Sequence, residues 1–239
     1  FMRARNSYIG VKNEWGKLFV GIHDTPMKKA ELKVDQFSDY YLADIDSVLQ
    51  GQQRVSDTIN IMPAKFGGVQ AWAMIIPGEG ASDTGADAVG GPDEDGIADA
   101  LSFSLTYKTD ALQLALAYDT EVKDREILRV AAQGDVGPVK LGAIVQQAER
   151  ASGSVEEGLG FVVSAALKMS AKDTVKLQYV SGEDDALADL TQDINDDGII
   201  DVTEAQMITA GWDRKIGKSS KVYAYYSERV VDEDSSQEF

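Results

Sequence analysis

The sequence predicts an all-β chain whose strands build an antiparallel barrel that crosses a membrane. Three observations lead there. Polarity alternates with period two along most of the chain, as in strands with one apolar face. The alternating stretches mostly run nine to twelve residues, longer than the roughly five or six common in soluble sheets. Short polar turns at one end of the strands are answered by mostly longer links at the other, the layout of a membrane barrel. A large soluble β-sandwich or up-and-down barrel carries the same alternation. The two differ in where the apolar face points: outward as a belt in a membrane barrel, inward in a sandwich.

Twelve strands are expected, at 3–12, 17–24, 54–62, 69–77, 97–107, 112–122, 125–133, 139–150, 159–169, 174–182, 206–216 and 221–231. "LSFSLTYK" sets Leu101, Phe103, Leu105 and Tyr107 against Ser102, Ser104, Thr106 and Lys108. "LQLALAYD" sets Leu112, Leu114, Leu116 and Tyr118 against Gln113, Ala115, Ala117 and Asp119. In "TVKLQYV", Val175, Leu177 and Tyr179 separate from Lys176 and Gln178. The short turns are "NEWGK" (13–17), "KTDA" (108–111), "GDVGP" (134–138), "SAKD" (170–173) and "GKSS" (217–220). The longer links are 25–53, 79–96, 152–158 and 185–205, with a short one at Lys123-Asp124. In the barrel reading the small or polar face lines water. No apolar run approaches the roughly 18 residues of a spanning helix, so only strands could span, and only in a closed barrel.

Charge is concentrated. The net charge is −17. Residues 79–99 hold seven acids and no base, and residues 183–204 hold nine acids and no base, so the two segments carry −16 of it. This acidity argues against a nucleic-acid partner, whose phosphates need a basic surface. There is no cysteine and a single histidine, His23. Thiolate or multi-histidine metal sites are therefore excluded, and no catalytic constellation is expected. Neither end reads as a signal peptide or a terminal strand, and both are expected to be truncated relative to the natural protein.

The stretch "RNSYIGVKNEWGKLFVGIHDTP" (5–26) resembles the trimeric general porins of Gram-negative outer membranes. They carry an Arg-Asn-x-Tyr-x-Gly strand, a turn with glycine, a second strand and a Thr-Pro. "RVSDTINIMPAKFGGVQAWAM" (54–74) resembles their next hairpin. The resemblance implies a sixteen-stranded barrel, of which one incomplete domain over 1–239 supplies twelve strands. It also implies that 25–53 is an inward-folded constriction loop. The usual Gly-Arg closing the second strand is Gly21-Ile22 here, and the loop has no Pro-Glu-Phe-Gly-Gly segment.

Arg3 and Arg5 share one face of their expected strand, with Ser7 next on that face and Tyr8 opposite, toward lipid. By resemblance, Arg5 and Arg54 match arginines of a basic pore wall, which Arg3 would extend. The loop acids Asp35, Asp39, Asp44 and Asp46 would face them across the constriction. Opposed charges across a narrow pore set up a transverse field that orders water and dipolar solutes.

The segment "DINDDGIIDVTE" (193–204) has the spacing of a calcium loop. Asp193, Asn195 and Asp197 would give side-chain oxygens, Ile199 its carbonyl, Asp201 a direct or water-mediated contact, and Glu204 a bidentate carboxylate. Strand-like sequence follows it, so a single Ca2+ would clamp an external loop (185–205) rather than an EF-hand. "PDEDGIAD" (92–99), in a second acidic external loop at 79–96, is a weaker echo without the closing glutamate. Trp15, Trp72, Trp212, Tyr8, Tyr118, Tyr179 and Tyr226 fall near expected strand ends, where interface girdles place aromatic rings.

These readings converge on an outer-membrane porin: a homotrimeric, non-enzymatic channel for passive diffusion of ions and small hydrophilic solutes. Its surroundings would be lipid bilayer and lipopolysaccharide, and its acidic mouth would favour cations. The rival is a secreted calcium-binding β-sandwich acting in adhesion or carbohydrate binding, and a barrel hydrolase is a third.

Overall fold

A computed structural model describes residues 5–78, 96–151, 157–188 and 202–233. It contains the twelve expected strands. They are β1 (Ser7–Asn13), β2 (Gly16–Asp24), β3 (Arg54–Pro63), β4 (Val69–Ile76), β5 (Ala100–Lys108) and β6 (Leu112–Thr120). Then come β7 (Arg125–Val136), β8 (Val139–Arg150), β9 (Gly158–Lys168), β10 (Asp173–Glu183), β11 (Val202–Lys215) and β12 (Lys221–Glu233). Each pairs antiparallel with its neighbours in chain order, giving one sheet with β1 and β12 as its edges. The sheet is not closed on itself. Among the described residues no helix is long and apolar enough to cross a membrane.

The short turns follow from their residues. Asn13 Oδ1 accepts the Trp15 N–H at 2.9 Å and folds the β1–β2 turn. Gly137 supplies the left-handed residue (φ 60°) between β7 and β8, ahead of Pro138. Such geometry is cheap only without a Cβ.

Register decides the two faces. Leu101, Phe103, Leu105 and Tyr107 of β5 point outward and stay 39–41% exposed. Leu114, Leu116, Leu128, Val130, Leu141, Val145, Phe161, Val163 and Leu177 continue the outward belt. A contiguous apolar surface of this extent is foreign to a water-soluble domain. It also rules against the sandwich, whose apolar faces turn inward.

The opposite face was expected to line water. Over β6–β11 it instead carries a core. Ala115, Ala117, Ile127, Ala131, Ile144, Ala148, Val162, Val180, Ala205 and Met207 are buried against Met27, Ala30, Val34, Ile45, Val48 and Leu49 of segment 25–53. Small side chains there let a second layer approach the sheet. A Cβ added at Gly160 or Gly182 would lie 2.7 Å from Leu49 Cδ2, and one at Gly211 would lie 2.6 Å from Phe37 Cε1. The glycines form the notches that Leu49 and Phe37 fill.

Two boundaries differ from expectation. β1 starts at Ser7, so Arg5 lies before the strand. Ser7, Ile9 and Val11 pair with Ile22, Val20 and Leu18 on the outward face, which puts Tyr8 inward. β11 begins at Val202, so Thr203 and Glu204, expected to close a calcium loop, belong to a strand.

Candidate functional site

Segment 25–53 is the one long connection whose whole course is described. It leaves β2 with a short helix α1 (Pro26–Lys29), capped by Thr25 Oγ1, which accepts the Lys28 N–H at 3.1 Å. Its neck is closed by the Thr25 N–H, donating to Gln53 O at 3.1 Å, and by Arg54, whose Nη2 lies 2.7 Å from Asp24 Oδ1. Lys29 Nζ is 2.5 Å from Asp24 Oδ2. Asn6 Oδ1 accepts from Arg54 Nε at 3.1 Å and from the Asp24 N–H at 3.1 Å.

Inward side chains of β5, β7, β9 and β10 hold the segment by its backbone. Met27 N donates to Ser102 Oγ at 3.2 Å, Lys33 N to Gln133 Oε1 at 2.8 Å, and Gln36 N to Gln178 Oε1 at 2.8 Å. Ser164 Oγ donates to Val34 O at 2.5 Å, and Lys176 Nζ donates to Gln36 O at 2.7 Å. Beyond these, Tyr225, Ser227 and Arg229 of β12 donate to Tyr41 O, Leu42 O and Ser47 O. A loop lying across a sheet has no ladder of its own, so these side chains satisfy backbone groups that burial would otherwise orphan.

The apex is fastened by aromatic rings and charge. Tyr40 OH donates to Asp213 Oδ1 at 3.0 Å and accepts from Lys221 Nζ at 2.6 Å. Lys176 Nζ sits 4.3 Å from the Tyr40 ring centroid and 4.5 Å from that of Phe37, and 3.2 Å from Asp213 Oδ2. Burial of Lys176 is acceptable because its charge is paired and its ammonium faces rings.

The candidate pore residues divide. Arg3 lies outside the described residues. Arg5 Nη1 reaches Asp39 Oδ1 at 3.8 Å, with the two side chains 76% and 80% exposed. The pair brings together two of the expected opposed charges, but exposure leaves it weak. Arg54 departs from the expected basic wall: it is tied to Asp24 and Asn6 at the neck because its strand position pairs it with Asp24. Asp35 does not face the arginines either. It is 6% exposed, and its carboxylate accepts Phe37 N–H at 2.8 Å and Ile45 N–H at 3.2 Å, holding the apex together. Asp44 Oδ2 accepts the Asp39 N–H at 2.8 Å, and Oδ1 accepts the Asp46 N–H at 3.2 Å. Asp39 and Asp46 remain exposed on the loop.

Burial, then the neighbouring charge of Asp44, pushes the Asp35 carboxyl up to about 8, against its two backbone N–H bonds. Burial also pushes Glu31 up to about 7, opposed by the charge of Arg129.

Of the calcium-loop candidates, Asp193, Asn195, Asp197, Ile199 and Asp201 lie outside the described residues, as does most of 79–96. Glu204 Oε1 accepts from Gln206 Nε2 at 2.5 Å, and Gln206 Oε1 accepts from Tyr179 OH at 3.0 Å. Among the described residues no group of three or more His, Asp or Glu side chains is placed to hold a metal ion.

The aromatic residues also divide. Trp212, Tyr118, Tyr179 and Tyr226 face outward by register. Trp15 is 78% exposed at the β1–β2 turn. Tyr8 and Trp72 depart from the girdle. Tyr8, Phe19, His23 and Trp72 form an inward cluster, with Tyr8–Phe19, Tyr8–His23 and His23–Trp72 ring centroids 5.0–5.1 Å apart. Trp72 Nε1 donates to Asn60 Oδ1 at 2.9 Å, which satisfies both groups inside.

Two groups central to this region were not singled out from sequence: Arg129 and the Lys176–Asp213–Lys221 cluster. Their signal is a charge at an inward register position, as in "EILRVAAQ", where Arg129 shares its face with Ala131 and Gln133.

The profile of the Gram-negative porin family matches residues 2–234. No curated protein matches the chain. Among solved structures, the anion-selective porin from Comamonas acidovorans is 19% identical with a TM-score of 0.68, covering 95% of this chain and 67% of that one. Salmonella typhi OmpF, in a complex with daunomycin, is 15% identical with a TM-score of 0.68, covering 96% of this chain and 72% of that one. OmpT of Vibrio cholerae, an outer membrane protein solved in trimer form, is 11% identical with a TM-score of 0.63, covering 95% of this chain and 70% of that one. At such identities these structures speak to the fold alone.

Proposed function

The chain belongs to the Gram-negative porin family, and from that premise we propose that it forms a water-filled outer-membrane channel narrowed by segment 25–53. The channel passes ions and small hydrophilic solutes by diffusion. The observation that supports a constriction is the seating of this segment: it crosses the inward face from α1 beside β4–β6 to Ser47 beside Arg229 of β12. Water and solutes then pass on the side of the loop turned away from β5–β12, along its exposed Asp39 and Asp46 and past Arg5. There an exposed acid and an exposed base, Asp39 and Arg5, pair at 3.8 Å beside the path.

The experiment is removal of residues 30–50. Single-channel conductance of the reconstituted barrel should rise. Unchanged conductance in an intact, folded barrel would overturn the reading.

Assembly as a homotrimer is part of the same proposal. The outward strand residues of β1–β4 include Ile9, Val11, Leu18, Val20, Ile22, Ile59, Ile61, Val69, Ala71, Ala73 and Ile75, and none carries an aromatic ring. Those of β5–β12 include Phe103, Tyr107, Tyr118, Phe161, Tyr179, Trp212 and Tyr226. Rings accumulate where strands meet a lipid–water boundary, and a ring-poor aliphatic face suits contact with neighbouring copies. The remaining outward face would meet lipid and lipopolysaccharide. Calcium at 193–204 is also proposed, on the strength of the ligand spacing alone.

A further inference from the structure

Arg129 stands in the middle of β7 with no exposed surface. Nothing in a channel with a charged wall calls for an arginine hidden from the lumen, and a buried guanidinium is tolerated only when its donors are satisfied. Here they are. Nε donates to Gln146 Oε1 at 3.0 Å. Nη2 donates to the same oxygen at 2.6 Å and to Gln50 O at 2.8 Å. Nη1 donates to Met27 O at 3.3 Å. With its amide turned to satisfy both neighbours, Gln52 accepts from Nη1 at 3.0 Å and donates to Glu31 Oε2 at 2.8 Å. Gln146 Nε2 adds a second bond to Gln50 O at 3.3 Å.

Met27 and Gln50 are the two limbs of segment 25–53 just inside its neck. One guanidinium therefore bridges the entering and leaving chain and pins both to β7 and β8. Gly51 fits the same arrangement. Its φ is +86°, and a Cβ there would lie 2.7 Å from Arg129 Nη2 and 3.4 Å from Cζ. The volume a side chain would take is already filled by the guanidinium.

We propose that Arg129 is a positioning residue of the constriction: it locks the two limbs of the inward loop at a fixed spacing, and Gly51 is the notch that admits it. This deepens the constriction reading and rests on it. The fork geometry carries the role, because two carbonyls and two side-chain oxygens are met at once by a planar group. A lysine keeps the charge but offers a single nitrogen and cannot bridge the four. Because the charge lies under the loop and faces Glu31 and Asp119, it contributes little to the field felt by a permeating ion.

The test uses the full-length porin in planar bilayers and in detergent, with Arg129→Gln, Arg129→Lys and Gly51→Ala. Three quantities are read: open-channel current noise, reversal potential in a salt gradient, and hydrogen exchange at Ala30, Leu49 and Gln50. In all three variants exchange at these amides should accelerate by at least about tenfold, the effect of losing one charge-assisted contact, and current noise should rise with it. Reversal potential should hold. The Arg129→Gln/Gly51→Ala double variant should be no noisier than either single, since both break one lock. Rescue by Arg129→Lys, or a shifted reversal potential with unchanged noise and exchange, would show a charge role and overturn the proposal. So would unchanged exchange in a folded Arg129→Gln. If Arg129→Gln fails to fold, Gly51→Ala decides alone: quiet current and native exchange overturn the lock, and loosened limbs support it. Failure of the constriction reading is seen separately, as unchanged conductance after deletion of 30–50.

Discussion

Leu49→Ala is the sharpest way to loosen the inward loop without touching a charge. Leu49 is 1% exposed and sits between Gly160 and Gly182, and its Cδ2 would lie 2.7 Å from a Cβ built on either. The substitution removes three carbon atoms, about 2.4 kcal/mol of transfer free energy at about 0.8 kcal/mol each. The cavity adds to this, to a total of about 2–5 kcal/mol for Leu→Ala. Here the upper part of that range applies, because the flanking glycines have no side chains that could move in. At 1.4 kcal/mol per tenfold, the upper part of the range, about 3.5–5 kcal/mol, raises the ratio of released to seated loop by roughly 300-fold to 4,000-fold. The strands lose no ladder hydrogen bond, so the barrel itself should resist SDS as before. Single-channel recording should show brief excursions to higher conductance, and the amides of Val48–Gln50 should exchange faster. A conductance distribution and exchange pattern identical to wild type would mean that Leu49 contributes nothing to seating, and the packing argument would be wrong.

The loop should also respond to pH. Asp35 is raised from 3.8 to about 8 in the seated loop. The seated form therefore binds the extra proton, and seating is strongest below about pH 4, weakens as pH rises toward about 8, and levels off above it. Protection at Phe37 and Ile45, corrected for the intrinsic pH dependence of exchange, should fall over that window in wild type and fall less in Asp35→Asn, where the Glu31 carboxyl, raised to about 7, still titrates; equal falls in the two proteins would refute the role of Asp35. Calcium should bind in the roughly 10⁻⁴–10⁻³ M range of isolated extracellular sites. Calorimetry should show weaker binding in Glu204→Gln and Asp193→Asn, and equal heats in all three proteins would remove calcium from the account. The two acidic segments, with −16 between them, predict a modest cation preference that fades with salt. Anion selectivity in a low-salt reversal-potential measurement would contradict it.

Period-two alternation is a local property, so the chain announces its strands directly. All twelve appear near where "LSFSLTYK", "LQLALAYD" and their counterparts place them, and in these two strands the leucines, Phe103, Tyr107 and Tyr118 point outward as the alternation requires. Alternation also separates the two faces, but it says nothing about what lies over the inner one. That is why Ala115 and Ala117, on the small or polar face expected to line water, turn out to be part of the floor beneath a second layer. Segment 25–53 has no period. Its path is set by contacts a hundred residues or more away in sequence, such as Lys33 to Gln133 and Ser164 to Val34. Charge roles fail to transfer for the same reason. Asp35 and Asp39 look alike in a string of loop acids, yet one is sealed inside the apex and the other is exposed beside Arg5. Arg54 carries the sequence mark of a pore arginine, and the register of β3 on β2 hands it to Asp24. Strand pairing was legible because each strand needs only its own pattern to declare a face. The site was not, because its electrostatics depend on which carbonyls and carboxylates the folded loop brings to each side chain.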